Sequence, residues 1–212
     1  MPGTPKKHKS GAKEDAIQME WEDVDPDLVL EPPNFAQVEG RLFRSSFPRP
    51  SNYRFLDSLH LRTIICLVED EPLPAQYIDW TKRRGIELIQ IGMPGHKEAF
   101  RDGIPYELVG EALRLVVNRS RYPMLIHCNR GKHRTGTVVA CLRKLKGWHV
   151  SRALDEYALY SHPKERATDQ AFIQAFEVTE LKMHVVRSRM LADLVPEAPP
   201  SPFSSMLNLA KA

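Results

Sequence analysis

Through the middle of the chain, short apolar runs alternate with longer stretches in which apolar residues recur every three or four positions. The short runs, at 41–44, 62–68, 86–92 and 124–127, are rich in Ile, Leu or Val and predict strands. The longer stretches, at 53–59, 75–84, 106–118, 134–146, 151–160 and 168–189, predict amphipathic helices. Gly147 reads as a helix stop, and Pro163 as the break between the last two helices. Such alternation predicts an α/β fold with a mostly parallel central sheet flanked by helices. Ligands of these sheets bind beyond the carboxyl ends of the strands. That rule gathers Cys128, the loop 69–74 and the loop 93–102 around one cleft.

The ends break the pattern. Residues 1–33 begin with Lys6-Lys7-His8-Lys9, turn acidic between Glu14 and Asp27 and finish in Pro32-Pro33. With few large apolar side chains, they are expected to form a mostly disordered N-terminal tail. The basic cluster reads as part of a solvated tail, with a nuclear signal as the alternative. Residues 191–212 hold Pro196, Pro199, Pro200 and Pro202 among serines and read as a flexible C-terminal tail. Between them, 34–190 has the length of one domain with a full core.

Composition excludes some classes. The 42% hydrophobic and 27% charged content is ordinary for a soluble globular protein. A net charge of +3 is too small to argue for nucleic acid. No apolar run reaches the length of a membrane span, and the polar N-terminus is no secretory signal. Cys66, Cys128 and Cys141 are odd in number and lack disulfide spacing, which suits a reducing compartment. The expected location is cytoplasmic, with the nucleus as a second one.

The candidate chemistry lies at Cys128-Asn129-Arg130-Gly131-Lys132-His133-Arg134, between a strand-like run and a helix-like one. A turn at a helix N-terminus can converge its N–H groups on an anion, and the helix dipole adds positive charge. The same field stabilises a thiolate and so activates a cysteine nucleophile. Arg134 can grip two phosphate oxygens in a planar fork. Two blander readings compete. A lone cysteine in this setting is usually a small hydrophobe. The Gly131-Lys132 pair also suggests a nucleotide-binding loop, but Ile126 and His133 stand where that pattern needs Gly and Ser or Thr. Arg130, Lys132, His133 and Arg134 would repel one another without an anion, so the phosphate site is favoured.

The run from His127 to Gly136, His-Cys-Asn-Arg-Gly-Lys-His-Arg-Thr-Gly, resembles the C-x5-R signature of plant and fungal atypical dual-specificity phosphatases. The resemblance spans roughly 34–177. It includes Arg41-Leu42-Phe43-Arg44-Ser45-Ser46-Phe47-Pro48, Leu61-Arg62-Thr63-Ile64-Ile65, Gly95-His96-Lys97-Glu98, Cys141-Leu142-Arg143-Lys144-Leu145 and Asp155-Glu156-Tyr157. It implies a protein-tyrosine/dual-specificity phosphatase fold and a phosphocysteine intermediate, with neither metal nor other cofactor. Cys128 is then the nucleophile, Arg134 the ligand of the transferred phosphoryl group, and Thr135 a hydrogen-bond donor to the departing sulfur. His127 supports the loop and the low thiol pKa from behind. Asn129, Arg130, Gly131, Lys132 and His133 are expected to bind substrate, joined by His96 and Lys97 from the facing loop.

Several members of that family cleave inositol pyrophosphates, and the residues push the same way. An aryl ester leaves poorly and needs a general acid, but His96, Glu98, Asp102 and Asp70 are all uncompelling candidates for one. A diphosphate leaves as a phosphate with a second pKa of about 6 and needs little proton donation. The expected partner is therefore a small polyanion, an inositol pyrophosphate. A phosphoprotein substrate is the first alternative, with phosphotyrosine hydrolysis as the activity. A phosphoinositol-binding sensor without turnover is the second. Nucleic acid and membrane are not expected partners.

Overall fold

The structure, a computed structural model, describes residues 29–69, 72–94 and 104–187, with side chains as far as 183. Five strands form one sheet: β1 (Ala36–Glu39), β2 (Leu42–Ser45), β3 (Thr63–Cys66), β4 (Glu87–Gln90) and β5 (Met124–His127). Their spatial order is β1-β2-β5-β3-β4. The pairings β2–β5, β5–β3 and β3–β4 are parallel, whereas β1 turns back antiparallel onto β2. The expected α/β architecture is the one observed, made mixed by β1. That strand went unpredicted because Val38 is the only strongly apolar residue in Ala-Gln-Val-Glu.

Seven helices follow among the described residues: α1 (Pro50–Ser58), α2 (Ala75–Arg83), α3 (Tyr106–Val116), α4 (His133–Leu145), α5 (Val150–Ser161), α6 (Ala167–Ala175) and α7 (Thr179–Arg187). Successive strand residues face opposite sides of the sheet. Ile64 and Leu125 pack with Leu56 of α1 and with Tyr77 and Trp80 of α2. Ile65, Met124 and Ile126 face the other way, into the larger core built by α3 to α7. Helix α4 lies deepest, buried without a gap from Thr135 to Arg143.

The single helix predicted over 168–189 is two. Phe176 leaves the helical conformation at ψ 116° and keeps its ring in the core. The Lys144 ammonium closes the break by donating to the carbonyls of Ile173, Gln174 and Phe176 at 2.7, 2.8 and 2.9 Å. Capping by a distant cation is tertiary, and no local pattern announces it. Two residues before 34 are hydrogen-bonded to the fold. The Leu30 carbonyl accepts from Asn52 Nδ2 (3.1 Å), and the Pro33 carbonyl from the Ser46 amide (2.8 Å). The rest of the N-terminal tail and all of the C-terminal one lie outside the described residues. Among the described residues, no helix is long and apolar enough to cross a membrane.

Candidate active site

Strand β5 sits in the middle of the sheet, with His127 level with Ser45 on one side and Cys66 on the other. The chain leaves the sheet at Cys128, turns through Asn129 to Lys132 and enters α4 at His133. The turn closes on Gly131, whose φ of +65° suits glycine. A Cβ there would stand 2.5 Å from the Ser45 carbonyl oxygen, because the end of β2 runs against the loop.

Three consecutive loop carbonyls are engaged from outside. Asn129 O accepts from the Phe47 amide (3.3 Å), Arg130 O from Asn34 Nδ2 (2.8 Å) and Gly131 O from Arg44 Nη2 (2.8 Å). In a trans peptide the N–H points opposite the carbonyl. With those carbonyls held outward, the amides of Arg130, Gly131 and Lys132 are turned to the interior of the loop, the arrangement that binds anions.

Cys128 stands at the floor of this cradle and is 3% exposed. Burial by itself would raise its thiol pKa. The charge of Arg134, the Thr135 hydroxyl and the amides of Thr135 and Arg130 outweigh that and hold the pKa below the ordinary cysteine value. Thr135 is fully buried, and its Oγ1 is without a hydrogen-bond partner there while it acts to lower the Cys128 pKa. Cys66 and Cys141 contrast with this. Burial pushes Cys66 up to about 11 and drives Cys141 higher still, which keeps both as protonated core thiols.

His127 differs in part from its expected role. Burial, reinforced by nearby Arg134, lowers its pKa to about 3, against a weaker opposing effect of the Cys128 backbone. A neutral imidazole lends no charge to the thiolate. It acts through position instead, sharing a 2.7 Å hydrogen bond between Nε2 and the Tyr77 hydroxyl and standing edge-on to the Phe47 ring.

The loop cations also have partners that the sequence did not indicate. Lys132 Nζ donates to the His162 carbonyl (2.7 Å), and His133 Nε2 meets the Lys164 carbonyl (2.5 Å). Both side chains, expected to bind substrate, thus clip the segment after α5 to the loop. Arg134 Nη1 donates to the Met93 carbonyl at 3.0 Å, which brings the segment after β4 against the loop as predicted. Asp169 accepts from the Tyr157 hydroxyl, and Glu156 is bound by Arg143. Asn129 and Arg130 are exposed. They border a cavity of about 930 Å³ together with Asn34, Arg49, Tyr53 and Lys132. Such a volume holds a sizeable small molecule. His96, Lys97, Glu98, Asp102 and Asp70 lie outside the described residues.

Arg44, Asn34 and Phe47 are the site residues that the sequence did not single out. The available signal was Arg44 itself, a charge inside the apolar run at 41–44.

Comparison with known proteins agrees with this geometry. The profile of the tyrosine phosphatase family matches residues 29–192. The inositol diphosphatase SIW14 of Saccharomyces cerevisiae is 45% identical over 155 residues, covering 73% of this chain and 54% of that protein. The chain thus spans about half the length of this relative. The inositol diphosphatase DSP2 of Oryza sativa subsp. japonica is 45% identical over 167 residues, 78% of this chain and 80% of its own. Among solved structures, the core catalytic domain of the PP-IP phosphatase SIW14 from S. cerevisiae, in complex with citrate, superposes with a TM-score of 0.72 at 41% identity. That match covers 77% of this chain and 97% of the other.

Proposed function

The chain belongs to the tyrosine phosphatase family, and from that premise we propose that it hydrolyses the diphosphate group of inositol pyrophosphates through a phosphocysteine intermediate. One observation carries the reading. Arg134 lies beside a lowered-pKa thiol at a helix N-terminus, and among the described residues Arg134 and Lys132 donate to the carbonyls of Met93 and His162, while Lys132 also acts on the exposed carboxylate of Glu165. Cations arranged in this way are compensated by an anionic ligand. A ligand with several phosphates compensates more of them than a single phosphoester does, and the adjoining cavity has room for the remainder of such a molecule. The names of the yeast and rice relatives support the same substrate class.

The chemistry is two in-line displacements at phosphorus. The Cys128 thiolate forms an S–P bond to the terminal phosphorus as the bridging P–O bond breaks, and the inositol polyphosphate leaves with that electron pair. Water then forms a P–O bond as the S–P bond breaks, regenerating the thiolate and releasing orthophosphate. Arg134 and the inward loop amides hold the equatorial oxygens in both steps. The Thr135 hydroxyl donates to the sulfur and makes it a better leaving group in the second. The leaving phosphate, with a pKa of about 6, departs without strong help from an acid. A thiolate of this kind needs a reducing compartment, and the cytoplasm, with the nucleus as a further site, is part of the same proposal.

Phosphate release from a diphospho-inositol and from a phosphotyrosine peptide, both with EDTA present, tests the substrate. A large preference for the first is expected, and equal or reversed rates overturn the choice. Cys128→Ser should abolish turnover while binding persists. Turnover that survives removes Cys128 from the mechanism.

A further inference from the structure

Strand alternation puts Leu42 and Arg44 on the α4 face of β2, and the Leu42 side chain is an ordinary core residue. Arg44 is 1% exposed beside it, at a position level with Ile126. Its guanidinium has one hydrogen bond, from Nη2 to the Gly131 carbonyl, and lies 3.8 Å over the Tyr160 ring. Nε and Nη1 are buried without a partner. Glu156, the acid that acts on it from nearby, is already held by Arg143 Nε and Nη2 at 2.8 and 3.0 Å. Gly136, in the first turn of α4, makes room for the packing: a Cβ there would reach Tyr157 at 3.0 Å and Arg44 Nη2 at 3.8 Å.

A buried cation that hydrogen-bonds one carbonyl, stacks on a ring and shares its neighbouring acid with another arginine is a poor choice for a core, where an apolar side chain of similar size would be favoured. Its location supplies the missing compensation. The guanidinium lies under the loop that carries Cys128, and the carbonyl it holds belongs to the residue whose turn closes that loop. We propose that Arg44 is a positioning residue of the phosphate loop: it holds the Gly131 carbonyl outward and places a permanent positive charge beneath the nucleophile, compensated by the thiolate and by bound phosphoryl. Arg44 does not touch the substrate. It acts through the loop and through Cys128. Burial lowers the Arg44 pKa, and Glu156, Tyr160 and, after them, Cys128 oppose this.

The inference rests on Cys128 being the nucleophile and is independent of which phosphate compound is cleaved. Its first test is therefore alkylation of Cys128 by iodoacetamide as a function of pH, followed by peptide mass spectrometry, which needs no substrate. Arg44→Gln keeps a donor for the carbonyl and loses the charge. Below the midpoint of the pH curve it should alkylate about tenfold more slowly than wild type, since less of the thiol is ionised. Arg44→Lys keeps the charge and should restore the wild-type midpoint while kcat for p-nitrophenyl phosphate remains severalfold low, with KM little changed. A midpoint unmoved in Arg44→Gln overturns the proposal. Should that variant fail to fold, Arg44→Lys decides: a lowered kcat at an unshifted midpoint sustains the proposal, and a fully wild-type kcat overturns it. Loss of inositol pyrophosphate cleavage with these alkylation results intact would count against the substrate assignment alone.

Discussion

Helix α4 has cations at both ends, and the partners they meet differ. At the C-terminal end Arg143 is bound by Glu156 at 2.8 Å and lies 3.8 Å from Glu39. Lys146 meets the same Glu39 at 2.6 Å, and Arg119 reaches it from outside at 3.2 Å. Arg143 and Lys146 thus have carboxylate partners within the fold and sit where the helix dipole favours positive charge. At the N-terminal end Arg134, Lys132 and, beneath them, Arg44 meet the carbonyls of Met93, His162 and Gly131. There the dipole opposes positive charge. One end of the helix has carboxylates bound to its cations within the fold; on the proposed function, the other is completed by a thiolate and an incoming anion. On the proposed function, the difference separates basic residues that build the fold from those that serve the reaction, although both groups look alike in composition.

Breaking the completed end should cost most. Glu39→Gln leaves Arg143 and Lys146, both nearly inaccessible, with one carboxylate fewer between them. Removing one partner from a buried charge cluster costs about 3–5 kcal/mol. Urea denaturation should read that loss, while kcat per folded molecule stays near wild type. Unchanged stability would mean that the rear cluster is not what holds this end of α4.

At the open end the expected effect has the opposite sign. Inositol hexakisphosphate, added at a hundred times its Kd, should stabilise the protein by about 2.7 kcal/mol. For a chain of this size that is a rise in Tm of about 5–10 °C. Arg134→Met should weaken binding and shrink the rise at equal ligand concentration. No rise in wild type would show that the front cations are not waiting for an anion.

His127, at the end of β5 before the loop, separates charge from position. Its folded pKa of about 3 lies below the ordinary 6.5. The unfolded chain therefore takes up a proton as pH falls below about 6.5, and the folded one does not until about 3. The stability contribution is full above that range and declines through it by about 1.4 kcal/mol per pH unit. Between pH 7 and 5 the loss should be about 2 kcal/mol, and His127→Gln should lack it. An equal pH dependence in the variant would point to another group.

What could be read from the chain follows how local each feature is. The phosphate loop was legible because nucleophile, turn and clamp are contiguous, from Cys128 to Thr135. The parallel strands were legible because β3 and β5 are buried at every position. Strand β1 was not, since half of its residues are polar and one of them, Glu39, faces a buried ion cluster from which the sequence alone shows nothing. Arg44 and Asn34 acquire their meaning from carbonyls 87 and 96 residues away. Lys132 and His133 were recognisable as a basic pair, but their carbonyl partners depend on how the segment after α5 returns to the loop.

Lys132 gives the finest test, because it has both a structural partner and an expected ligand. As a clip to the His162 carbonyl alone, its loss would cost about 1 kcal/mol, the usual value of one hydrogen bond, whether or not an anion is present. As part of the open end, it also meets the bound polyanion. Lys132→Met should then lose more in inositol hexakisphosphate than without it, by about 1 kcal/mol, or about fivefold in affinity. Melting curves of wild type and variant at matched ligand concentrations read the difference directly. Equal losses in the two conditions would assign Lys132 to the fold, and the boundary between the two ends of α4 would move forward to Arg134.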